Sequence, residues 1–202
     1  MQIRYILPIF LSVMLFLVAC ASAPSPATVI RTHLGLPDGH AGFSNVLVIS
    51  VAGDYESRAL FERHIATAFA DTRGSETAYF TVVGRQPHLT RNALDTAILS
   101  RKFDAVILTR LKGQDRQDLV ANRPVGRSFD LFGYDYSELN MPAKIEQAKS
   151  ITFVTEVYST STKRKVWSID SLSFNKVTAV ELINEQAATI AAQLRKDGVL
   201  SR

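Results

Sequence analysis

Asn45-Val-Leu-Val-Ile-Ser-Val-Ala52 is an almost unbroken run of β-branched and apolar residues, and its reading decides the fold. A strand wetted on one side alternates apolar with polar residues, whereas a strand covered on both faces stays apolar throughout. The run therefore belongs in the middle of a sheet. Gly53-Asp54 punctuates it, and Tyr55 to Asp71 carries Leu60, Phe61, Ile65, Ala68 and Phe69 at amphipathic helical spacing, with Gly74 closing that helix. Thr77 to Val83 is a second β-rich run, stopped by Gly84 and Pro87. Thr90 can cap a helix holding Leu94, Ala97 and Ile98 to about Lys102. Asp104 to Leu111 repeats the look of the first strand. Strand, helix, strand, helix, strand at these intervals predicts a βαβαβ parallel unit with right-handed crossovers, its strands ordered second, first, third.

Downstream, Ser150 to Ser159 and Arg164 to Phe174 are strand-like runs separated by Thr160 to Lys163, the pattern of an antiparallel β-hairpin that extends the sheet. Thr178 to Lys196 carries Val180, Ile183, Ala187, Ile190, Ala191 and Leu194 at helical spacing, with Gly198 closing it. The fold class expected is α/β, with a C-terminal helix packed on the sheet. Trp167, in the last strand, is expected to pack under a helix.

The N-terminal twenty residues concern address rather than fold. Met1 to Arg4 form a short basic end, and Tyr5 to Ala19 are apolar apart from Pro8 and Ser12. A helix of that stretch would reach only ~22 Å, short of the ~30 Å hydrocarbon core, which favours a cleaved signal over a span. It ends in Leu17-Val18-Ala19-Cys20, and Cys20 is the only cysteine in the chain. These residues resemble the lipobox of bacterial lipoproteins. That resemblance implies a signal peptide over 1–19, lipid on Cys20 and a bilayer as partner. Several acyl chains at ~0.8 kcal/mol per buried methylene would make such an anchor effectively permanent. Ala21 stands where an inner-membrane retention signal has Asp in similar lipoproteins, which implies the periplasmic face of the outer membrane. Residues 20–43 are expected to form a tether, proline-bearing to about Thr28 and loop from Val29 to Phe43, and residues 44–202 a single domain.

Composition narrows the functional classes. With 47% hydrophobic and 21% charged residues the chain has a globular balance, and its formal net charge of +4 is too small and scattered along the sequence to argue for nucleic acid. The four histidines, His33, His40, His64 and His88, form no helical pair and no thiol ligand remains after lipidation, so no metal and no other cofactor is expected. Neither a Gly-x-Ser-x-Gly elbow nor a phosphate-cradling glycine loop occurs. Asp54 and Arg110 are ligand-binding candidates at the carboxyl ends of neighbouring parallel strands, where open α/β sheets place ligands. Arg58 and Glu62, four apart, read as a pair along a helix face.

Residues 113–149 form a long connection without sustained periodicity. Within it, Phe129-Asp-Leu-Phe132-Gly-Tyr134-Asp-Tyr136 suits neither a helix nor a solvated linker. One reading folds Phe129, Leu131 and Phe132 back over the sheet. The other makes Phe129, Phe132, Tyr134 and Tyr136 a partner-binding surface, rimmed by Arg123, Arg127 and Lys144.

Arg58-Ala-Leu-Phe61-Glu62, Lys165-Val-Trp167-Ser168 and Leu194-Arg-Lys-Asp-Gly198-Val-Leu200 resemble corresponding stretches in a group of small proteobacterial lipoproteins. The resemblance covers about Asn45 to Leu200 and is weakest over 113–149. The order of elements is also similar, at fold level, to periplasmic α/β domains of the Tol translocation protein, the curli secretion lipoprotein and the activators of penicillin-binding proteins. It implies a non-catalytic adaptor that binds an envelope protein or another copy of itself. A small-ligand or glycan binder, and a hydrolase acting on cell wall or lipid, are the alternatives.

Overall fold

A computed structural model describes residues 27–36, 41–51, 55–69, 75–84, 90–114, 131–132, 150–174 and 178–200. The described elements are β1 (Thr28–Leu34), β2 (Asn45–Val51), α1 (Tyr55–Ala68), β3 (Ser75–Ala78), α2 (Tyr79–Val83), α3 (Arg91–Arg101), β4 (Ala105–Gln114), β5 (Ser150–Ser159), β6 (Arg164–Phe174) and α4 (Ala179–Lys196). They form one mixed six-stranded sheet in the order β1-β6-β5-β4-β2-β3.

The expected α/β class is what the chain adopts. β2 pairs in parallel with β3 on one side and β4 on the other, the order predicted from the βαβαβ pattern. β5 and β6 form the antiparallel hairpin, and β5 joins the sheet against β4. Because side chains alternate across a strand, β2 feeds two cores. Val46 and Val48 face α1 and α4 in a cluster with Phe61, Ile65, Ile183 and Ile190. Leu47 and Ile49 face the opposite way, with Tyr79, Leu94, Ala97 and Leu131. This double burial is why the strand reads as continuously apolar.

Helix ends follow the sequence signals. Thr90 accepts from Ala93 N at 3.2 Å and Thr178 accepts from Glu181 N at 3.1 Å, each capping a helix that starts one residue later. Gly198, after α4, takes φ +66, a left-handed value that glycine adopts without steric cost. Trp167 is fully buried under α4, where its indole N–H donates to Asp197 Oδ2 at 2.9 Å.

Three expectations are corrected. Val29 to Phe43 is not all loop: β1 runs antiparallel to β6, from Thr28 opposite Leu172 to Leu34 opposite Ser168, with two register shifts. The sheet thus begins at Thr28, not after Phe43. The second strand is shorter than its β-rich sequence suggests, ending at Ala78, and Tyr79–Val83 is a short helix that puts Tyr79 into the core. Finally, β4 continues to Gln114, so Arg110 is inside a strand and not at its end.

Candidate functional site

The carboxyl end of β2 is where the parallel sheet was expected to place ligands. The last β2–β3 pair is Val48 with Ala78, so the Ser50 N–H lies beyond it. Glu62, one turn past Arg58 on α1, supplies the missing acceptor: Oε1 accepts from Ser50 N at 3.2 Å and Oε2 from Phe80 N at 2.8 Å. Phe80 is in the first turn of α2, whose N-cap residue, Ala78, offers no side-chain acceptor. One carboxylate therefore satisfies a frayed strand end and an uncapped helix start together.

Glu62 is fully buried, and burial raises its pKa to about 7, against the lowering effects of the Phe80 and Ser50 N–H groups and of Arg58. Arg58 Nε is 3.9 Å from Glu62 Oε1, and the guanidinium lies 5.5 Å from the centroid of the Tyr55 ring. Both members of the pair are buried, which the i, i+4 spacing of a surface pair does not foretell. Ser50 Oγ closes the cluster by donating to the Arg58 carbonyl at 3.1 Å.

A second polar cluster lies across β4, β5 and β6 on the opposite face. Glu156 is buried, with Arg110 Nε at 3.6 Å, Lys165 Nζ at 2.8 Å and the Tyr158 hydroxyl donating at 3.1 Å. Arg110, read from sequence as a ligand candidate, thus has its charge matched within the sheet. A third network, beneath α4, has Ser171 Oγ donating to Gln186 Oε1 at 2.6 Å and Gln186 Nε2 donating to Ser173 Oγ at 2.8 Å.

Of the residues singled out in the sequence, Cys20, Asp54, Phe129, Tyr134, Tyr136, Arg123 and Arg127 lie outside the described residues. Phe132 is half-buried and meets Tyr158 edge-on, ring centroids 6.2 Å apart, while its neighbour Leu131 is fully buried in the second core. For these two residues the loop does fold back on the sheet. Arg110 and Phe132 come to the same face through their neighbours Glu156 and Tyr158, which are joined by a hydrogen bond. Among the described residues, no group of three His, Asp or Glu side chains is placed to hold a metal ion.

The buried role of Glu62 is what sequence reasoning missed. The available signal was weak: a carboxylate on the helix that directly follows a central strand, two turns inside its amino end.

No family model and no curated protein matches the chain. Among solved structures it is similar to a PelC dodecamer variant from Paraburkholderia phytofirmans, with 12% identity, 87% of this chain and 99% of that chain covered, and a TM-score of 0.48. A second PelC dodecamer structure from the same organism gives 13% identity, the same coverages and a TM-score of 0.46. A Xanthomonas campestris protein of the DUF330 family gives 12% identity over 83% of this chain and 92% of that one, with a TM-score of 0.35.

Proposed function

We propose that the chain is a lipid-anchored, non-catalytic binding domain of the bacterial envelope. In this reading Cys20 carries the anchor on the periplasmic face of the outer membrane, and the domain engages an envelope protein or a second copy of itself. The observation that carries the anchor is Leu17-Val18-Ala19-Cys20 at the end of a short apolar stretch, only eight residues before Thr28 opens the sheet. The resemblance to small proteobacterial lipoproteins supports the same reading.

The binding role rests on how the polar interior is used. Glu62, Glu156 and Gln186 each have backbone, charged or amide-hydroxyl partners that tie elements together. These contacts are structural ties between elements. Tyr134 and Tyr136 follow the docked Leu131–Phe132 step and offer contact area at low entropic cost.

In-cell photo-crosslinking from position 134 of the full chain tests the binding role. The expected result is one dominant adduct, with an envelope protein or with the chain itself. No adduct from position 134, while crosslinks from exposed Leu99 succeed, would refute this loop as the binding surface.

A further inference from the structure

The amino end of β2 and β4 gathers cations from three separate elements. α3 ends in Arg101 and Lys102, the β5–β6 turn presents Lys163 and Arg164, and α4 ends in Arg195 and Lys196. Hydrogen bonds hold these ends together. Asn45 Nδ2 donates to the Arg101 and Lys102 carbonyls at 2.7 and 3.2 Å. Thr160, at the start of the hairpin turn, donates through its hydroxyl to the Phe103 carbonyl at 2.7 Å and through its N–H to the Asp104 carbonyl at 3.0 Å. Phe43 N donates to the Val199 carbonyl at 2.8 Å, which brings up the end of α4.

The described carboxylates at this pole are Asp104, engaged with Ser44 and Asn45, Asp197, engaged with Trp167 and Gln193, and Glu76, beside Val46 at the start of β3. Six cations against three described carboxylates leave an excess of +3 at this pole. Cations far apart in the sequence thus meet at one end of the fold.

Helix dipoles account for cations in the last turns of α3 and α4, but not for the hairpin turn. Nor does stability account for Lys102 and Lys163. These are the two non-glycine residues with positive φ among those described, at +55° and +54°, where glycine would be cheaper.

The tether leaves from the other end. Thr28 pairs with Leu172, eight residues along β6 from Arg164, or ~27 Å. The Ala27 carbonyl is held by Thr189 Oγ1 at 3.2 Å. Only eight residues of sequence separate Cys20 from Thr28, so an anchor at Cys20 joins the fold at the tether end and favours that end over the basic pole on the bilayer side.

We propose that the basic pole is a binding surface for a carboxylate-bearing glycan polymer, the chemistry of the bacterial cell wall, facing away from the anchoring bilayer. This rests on the anchor reading above for the direction the pole faces, but not for its charge. The pole has exposed charge without an exposed aromatic side chain among its described residues, and Leu99 is the one large exposed apolar side chain beside it. Such a surface lacks the desolvated anchor of a protein interface and the stacking groups of a nucleic-acid site, and fits a repeating polyanion.

The test is co-sedimentation of the full chain, purified from cells in detergent, with isolated cell-wall sacculi and, in parallel, with anionic lipid vesicles. Lys102→Gly/Lys163→Gly should remain folded, with an unchanged or higher melting temperature, and lose roughly tenfold or more in sacculus affinity. Arg63→Gln/Arg91→Gln, which removes two exposed cations elsewhere, should bind as the original does. Vesicle binding through the Cys20 lipid does not depend on these lysines; wild-type sacculus affinity in the lysine double variant, or a loss of vesicle binding in that variant as large as its loss of sacculus binding, would overturn the proposal. The intact mass of the same preparation reads lipid on Cys20 separately, so failure of the binding and failure of the anchor are distinct results.

Discussion

Glu62 has to remain in the fold whether or not it is ionised, and this makes stability depend on pH. Its pKa is about 7 in the folded protein, against an ordinary value of 4.5. Between those values the native state binds the proton more tightly than the unfolded chain, so stability from this group is fully present below pH 4.5 and is lost as pH rises through 7. The difference corresponds to roughly 3 kcal/mol at most. Urea unfolding at pH 5 and pH 8 should show lower stability at pH 8, and Glu62→Gln should flatten that slope. The glutamine amide has only one oxygen for two N–H donors, so the variant should also lose about 1–3 kcal/mol at pH 5. At the same scale, Lys102→Gly and Lys163→Gly should each stabilise by about 1 kcal/mol by relieving a left-handed backbone, measured as a rise in denaturation midpoint with unchanged m. None of this was legible in sequence. Arg58 and Glu62 have the spacing of a solvated helix pair, and only the end of β3 after Ala78 creates the backbone donors that draw Glu62 inward.

Elements were far more legible where burial on both faces or a side-chain cap left a local mark. β2, β4 and the β5–β6 hairpin each announce themselves by composition, and Thr90 and Thr178 mark the starts of α3 and α4. β1 and α2 did not, for a common reason: each is defined by what it meets elsewhere in the chain. β1 is a strand because β6 offers its outer edge, and its two register shifts blur the period-two pattern. α2 is built from strand-favouring residues, yet Tyr79 is buried in the second core and Phe80 N reaches Glu62. Thr178→Ala should cost about 1 kcal/mol by uncapping α4. Asp197→Ala at the other end should cost about 1–3 kcal/mol, because it strands the buried indole N–H of Trp167. Trp167 is the sole tryptophan, so its fluorescence reports α4 docking directly, and equilibrium unfolding followed by that signal checks both values.

For the molecule as a whole, the two ends of the sheet have different chemistry. At one end Thr189 of α4 holds the Ala27 carbonyl just before β1, and the other carries the clustered cations. The candidate site was legible only in part. The lipobox-like residues and the aromatic run stand out from their residues alone, and the fold-back of Leu131 and Phe132 was one of two readings open to that run. The basic pole was hidden because its cations are spread from residue 101 to residue 196 and meet only through β-sheet order. The account depends most on the anchor, so the decisive measurement is labelled-palmitate incorporation and membrane fractionation of the full chain beside Cys20→Ser. The prediction is label in the original, no label in the variant, and release of the variant from the membrane fraction. An original that takes up no label, or a variant that stays membrane-bound to the same extent, would contradict it.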